Sequence, residues 1–133
     1  VSRLGLRGAA MILCAYIWTL VGVATILGAA ATPPGTFHTA LPMPVRAALW
    51  LAPAAAAVGL AWSREHDWIA LGLLVLGPML RITSYLTAWL LYLTGHEGLS
   101  TGWYSAAIHV ALLGLVALTA AIHRPATPGH TGE

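Results

Sequence analysis

The sequence predicts an all-α integral membrane protein, a four-helix bundle with both termini in the cytoplasm, and three observations predict it. Of 133 residues, 59% are hydrophobic and 8% charged, with a mean hydropathy of +0.80. That is more apolar surface than one core of this size can hide. The apolar residues also gather into four runs, separated by short stretches that hold most of the charge and much of the Pro and Gly. Finally, a four-pass path puts Arg3, Arg7, Arg64 and Arg124 on one side and only Arg46 on the other. The positive-inside rule then gives N-in/C-in topology in the inner (cytoplasmic) membrane.

The first run covers residues 9–31, preceded by Arg3 and Arg7 and followed by Thr32-Pro33-Pro34-Gly35. A helix rises ~1.5 Å per residue and the hydrocarbon core is ~30 Å thick, so about 20 residues suffice to cross it. The segment is too long and too weakly cleavable for a signal peptide and is expected to be retained. Pro-Pro-Gly is expected to stop this helix. Residues 32–45, with Pro33, Pro34, Pro42 and Pro44 around Phe37 and His38, read as a stiff, extended loop.

The second helix is expected at about 47–62, between Arg46 and Arg64, with Pro53 in its outer half. It is the weakest span. Its uncharged stretch reaches only ~25 Å, which requires the flanking arginines to snorkel or the bilayer to thin. A re-entrant hairpin is the alternative, but it would put the next two helices on the wrong sides relative to their charges. A charged turn, Ser63-Arg64-Glu65-His66-Asp67, leads into the longest run, 68–94. The connector Gly95-His96-Glu97-Gly98-Leu99-Ser100-Thr101-Gly102 follows, and the last helix is expected at 103–123, before a flexible tail over 125–133. Trp50, Trp62, Trp68, Tyr92, Trp103 and Tyr104 fall near span ends and read as interfacial aromatic belts.

Arg81 is the most informative residue, because it lies midway along the third run. Intramembrane charges are costly and point into a bundle or toward a partner. Helical spacing puts Ala70, Leu74, Gly77, Pro78, Ser84, Tyr85, Ala88 and Tyr92 on its face, a small and polar stripe. Val75, Met79, Leu86, Leu90 and Leu93 lie opposite and suit lipid. Pro78, the helix breaker near this cluster, frees the Leu74 carbonyl. Arg81 is expected to lean N-terminally and cap it. His109 falls fourteen residues before His123, and Arg81 thirteen after Trp68, so antiparallel neighbours bring the two to similar depth. Arg81, Ser84, Tyr85 and His109 therefore form the expected intramembrane polar cluster. It reads either as a packing network or as a site for an ion, a lipid head group or a partner carboxylate.

Other residues read more plainly. His38, His66, His96 and His130 fall in connectors or the tail, where a solvated imidazole suffices, and no metal or cofactor is expected. Cys14, the one cysteine, reads as packing. Trp18, Gly22, Thr25 and Ala29 in the first helix, and Ala55 with Gly59 in the second, read as helix-packing surfaces within the chain or between subunits. Scattered arginines without lysine disfavour nucleic-acid binding. Without paired cysteines, an intramembrane carboxylate or a nucleophile with base and orienting acid, an enzyme is not expected.

Three motifs carry a resemblance. They are Leu41-Pro42-x-Pro44-Val45-Arg46-Ala47-Ala48-Leu49-Trp50, Gly77-Pro78-Met79-Leu80-Arg81-x-x-Ser84-Tyr85-x-x-Ala88-Trp89, and Gly102-Trp103-Tyr104-Ser105-Ala106-Ala107. Together, across roughly residues 40–110 in pieces, they resemble uncharacterised four-helix membrane proteins encoded by actinobacterial bacteriophages. The resemblance implies a phage context, in which small multi-span proteins are often holins or lysis-associated permeabilisers and sometimes exclude competing phages. Holins need no active site, only helix faces that associate. The competing expectation is an interaction subunit in which Arg81 pairs with a partner carboxylate or an anionic lipid. Both allow the lipid bilayer, further copies or another membrane protein as partners.

Overall fold

The computed structural model describes residues 4–29, 36–63 and 65–122. Within them it is all-helical: α1 Leu6–Ile26, α2 Phe37–Ala40, α3 Met43–Leu60, α4 Asp67–Leu93 and α5 Gly102–Ala121. α1, α3, α4 and α5 are each long and apolar enough to cross a membrane, α3 being the shortest and least apolar. The expected stops at Pro33 and Pro34, the charges of Arg3, Arg64 and Arg124, His123, and the tail lie outside the described residues.

Helix ends differ from the expected ones for identifiable reasons. α1 stops at Ile26 rather than near residue 31, because Gly28 takes φ +70°. The Gly28 N–H then donates to the Thr25 carbonyl and the Ala29 N–H to that of Ala24, satisfying two terminal carbonyls in a Schellman arrangement. The proline pair is not what ends this helix. α4 ends the same way, with Gly95 at φ +77° and its N–H and that of His96 donating to Tyr92 and Leu91. α3 begins four residues before the expected 47, because Pro42 and Pro44 stand at the N-cap and in the first turn, where proline's fixed φ suits a helix and its missing N–H costs nothing. Arg46 thus lies inside α3, and the 18 residues give it about 27 Å of length. The 32–45 segment is not simply extended either, since α2 forms within it.

α3 lies against α1, α4 against α5, and α3 against α4; α2 packs on α4. Near the termini, one arginine joins three helices. Arg7 Nε pairs with Asp67 Oδ2 at 2.8 Å, and Arg7 Nη1 donates to the Ala120 carbonyl at 3.1 Å. The carboxylate sits at the N-terminus of α4 and the cation at the C-terminus of α5, as the helix dipoles favour. Toward the middle is an apolar core of Met11, Cys14, Trp18, Ala54, Leu71 and Val116. Cys14 is buried there, its sulfur 3.9 Å from the Thr119 hydroxyl. Most of α5 is exposed, Ala120 included.

Trp50 ties the middle together. Its ring lies 5.7 Å from that of Trp18 and 6.0 Å from that of His109. A side-chain carbon at Gly77 would lie 3.2 Å from it. The residue is 0% exposed, so it is a packing hub between four helices and not the interfacial belt residue expected. Trp62, Trp68, Tyr92, Trp103 and Tyr104 are exposed, as belts require.

Candidate functional site

Because Trp50 rests on Gly77, those two positions mark one level of the molecule. α3 and α4 run antiparallel, so Arg46, one turn before Trp50, and Arg81, one turn beyond Gly77, both lie about 6 Å farther from the termini. Arg81 is therefore mid-helix in α4 but level with the first turn of α3. The longer α4–α5 hairpin continues past that level, and α2 lies against it. Arg46, Arg81 and His109, from α3, α4 and α5, and His38 of α2 thus lie close enough for their charges to act on one another, a polar chamber formed by their side chains.

The α4 face is as the helical spacing predicts: Ala70, Leu74, Gly77, Pro78, Arg81, Ser84, Tyr85 and Ala88 are buried, with Tyr92 turning outward at the end. On the opposite face Met79, Leu86, Leu90 and Leu93 are exposed. Val75 is partly buried against the apolar core instead, where α4 is most enclosed. Arg81 is 2% exposed. Its Nη1–H donates to the Tyr85 hydroxyl at 3.2 Å, and its guanidinium carbon stands 5.9 Å from the Tyr85 ring centre.

His109 meets the cluster from α5. Its ring lies 5.4 Å from that of Tyr85, and its Nδ1–H donates to the Ser105 carbonyl at 2.7 Å. A carbonyl only accepts, so this bond places a proton on Nδ1. Arg81, Tyr85 and His109 are thus brought together. Ser84 faces the other way, into a groove between α2 and α4 of about 360 Å³ lined by Thr36, Phe37, Met79, Leu80, Thr83, Ser84 and Thr87.

The sequence reading missed one member of this chamber. His38, expected to be solvated, is 1% exposed, and neither ring nitrogen has a hydrogen-bond partner among the described residues. Burial lowers its pKa to about 4, with the charges of Arg81, Arg46 and His109 adding to the effect. The ring is therefore neutral at pH 7 and stands in the positive potential of two arginines. The Thr36 carbonyl accepts the Thr39 N–H and hydroxyl, which holds the short helix that carries His38. The signal available in the sequence was the imidazole set between proline pairs, a segment rigid enough to fold back.

The arrangement supplies N–H donors and positive potential, with no acidic side chain on α2 or α3 and Asp67 as the only one on α4, a full fourteen residues before Arg81. Among the described residues, no group of three or more His, Cys, Asp or Glu could hold a metal ion. No protein-family model matches the chain, and no curated protein and no solved structure is similar to it.

Proposed function

We propose that the chain is a multi-pass four-helix membrane bundle with N-in/C-in topology in the cytoplasmic membrane, and that it acts without catalysis as an interaction subunit. Its Arg81 chamber engages an acidic group from outside the chain, on a partner protein or an anionic lipid. The observation that carries this reading is His38. A buried imidazole whose two nitrogens have no partner among the described residues costs free energy unless something binds it, and the positive potential around it favours an anion.

A second reading is favoured by one other observation. Ala48, Ala52, Ala55 and Gly59 recur along the exposed side of α3, and small residues let helices of separate copies approach closely. That suits the self-association of a phage holin-like, lysis-associated permeabiliser. Expression in bacteria with dye entry followed over time, combined with purification after mild solubilisation, separates the two. The interaction reading expects intact cells and an acidic protein or lipid retained at fixed stoichiometry, lost in Arg81→Leu. Rapid dye entry abolished by the same substitution would instead establish the permeability role.

A further inference from the structure

The α2–α4 groove runs along α4 beside the polar cluster: Leu80 and Ser84, which line it, stand one residue before and three residues after Arg81. We propose that chamber and groove together form a binding site for one anionic glycerophospholipid, the chamber taking the phosphodiester and the groove an acyl chain. This deepens the interaction reading and rests on it.

Four observations support the assignment. Two guanidinium groups share one level, close enough for their charges to act on each other and on His38, which matches a phosphate that accepts from several directions. His38 is buried, and its ring N–H is without a partner among the described residues, so it can donate to a phosphate oxygen while the ring stays neutral. The groove is mostly apolar, with Phe37, Met79 and Leu80 along it and Thr36 and Ser84 also in its lining. Thr83 and Thr87 turn their hydroxyls back to the Met79 and Thr83 carbonyls, so they present methyl groups there instead of competing polar donors. Finally, the groove opens sideways, beside the exposed Phe37 and Met79, the direction from which a lipid arrives. A zwitterionic head group would bring its own cation against Arg46 and Arg81, so a net negative charge is required. A carboxylate from a partner helix could occupy the chamber but would leave the groove empty.

The test uses the full chain, purified in detergent and exposed to equal amounts of phosphatidylglycerol and phosphatidylcholine, with retained lipid read by native mass spectrometry. One phosphatidylglycerol per chain, retained at least tenfold over phosphatidylcholine, is the expected result. Arg81→Gln and the groove variant Leu80→Trp should each lower retention at least tenfold, and inorganic phosphate at millimolar concentration should displace little. His38→Phe provides a second chamber variant should Arg81→Gln fail to fold by circular dichroism, and the same loss is expected from it. Equal retention of the two lipids, or unaltered retention in every folded variant, overturns the proposal. So does full displacement by inorganic phosphate, which would make the chamber a site for a soluble anion. Alkaline carbonate extraction is run alongside. A chain released by carbonate refutes the membrane reading itself, whereas one that stays in the membrane but retains a carboxylate-bearing protein and no lipid refutes only the lipid.

Discussion

At the residue scale the molecule is governed by a few side chains whose surroundings differ from what their neighbours in the sequence suggest. His38 is the clearest. Its pKa is lowered to about 4 from 6.5 in the folded chain, so the unfolded chain binds the extra proton first. Its contribution to stability is complete above pH ~6.5 and declines as pH falls toward 4, by up to about 3 kcal/mol. Thermal unfolding in detergent between pH 7 and pH 4 should show this slope, and His38→Phe should flatten it. Trp50 offers a second case. Trp50→Ala removes the ring that touches Trp18 and His109 and should cost about 3–5 kcal/mol, measurable by denaturant unfolding in mixed micelles. At the other end, Asp67 is 4% exposed. Asp67→Asn removes the charge paired with Arg7 and should lower stability by about 1–3 kcal/mol, with a matching drop in melting temperature.

At the element scale, glycine decides where helices end and how closely a connector returns. Gly28 and Gly95 adopt positive φ, a conformation costing an L-residue roughly 1–2 kcal/mol. Gly28→Ala and Gly95→Ala should each destabilise by about that amount in the same unfolding measurement. Gly98 is different, because space and not φ constrains it: a side-chain carbon there would run into the Ala88 carbonyl and the Tyr92 backbone. Gly98→Val should push the connector off α4 and break the bond from the Leu99 N–H to the Ala88 carbonyl. Faster amide exchange at Leu99 with little change elsewhere would report it. The α4 face was legible because a period of 3.6 residues sorts Arg81, Ser84, Tyr85 and Ala88 from Leu86 and Leu90 without reference to any other helix. The helix stops were less legible. Pro33 and Pro34 are strong local signals, but Gly28 and its paired hydrogen bonds come earlier along the chain.

On the scale of the whole molecule, the two ends differ in character. Near the termini Arg7 and Asp67 neutralise each other, whereas the far chamber collects Arg46 and Arg81. The N-in/C-in reading makes the far end extracytoplasmic. On a Cys14→Ala background, Thr39→Cys and Glu97→Cys should then react with an impermeant maleimide in intact cells, and Glu65→Cys only after permeabilisation. The reverse pattern would invert the orientation. α1, α3, α4 and α5 each keep large apolar side chains exposed, among them Leu20, Val58, Leu86 and Leu118.

The sequence by itself determined that there are four long apolar helices and that Arg81 lies on a small, polar face, because both follow from local composition and helical period. It also brought Arg81 and His109 to a common depth by counting along antiparallel spans. Only the tertiary structure decided that Trp50 is a hub, that Arg46 reaches the level of Arg81 and that His38 joins the chamber. Those outcomes depend on where Gly77 lets an indole approach and on how a proline-flanked segment folds back. They are contacts between residues distant in the chain, and no local periodicity encodes them.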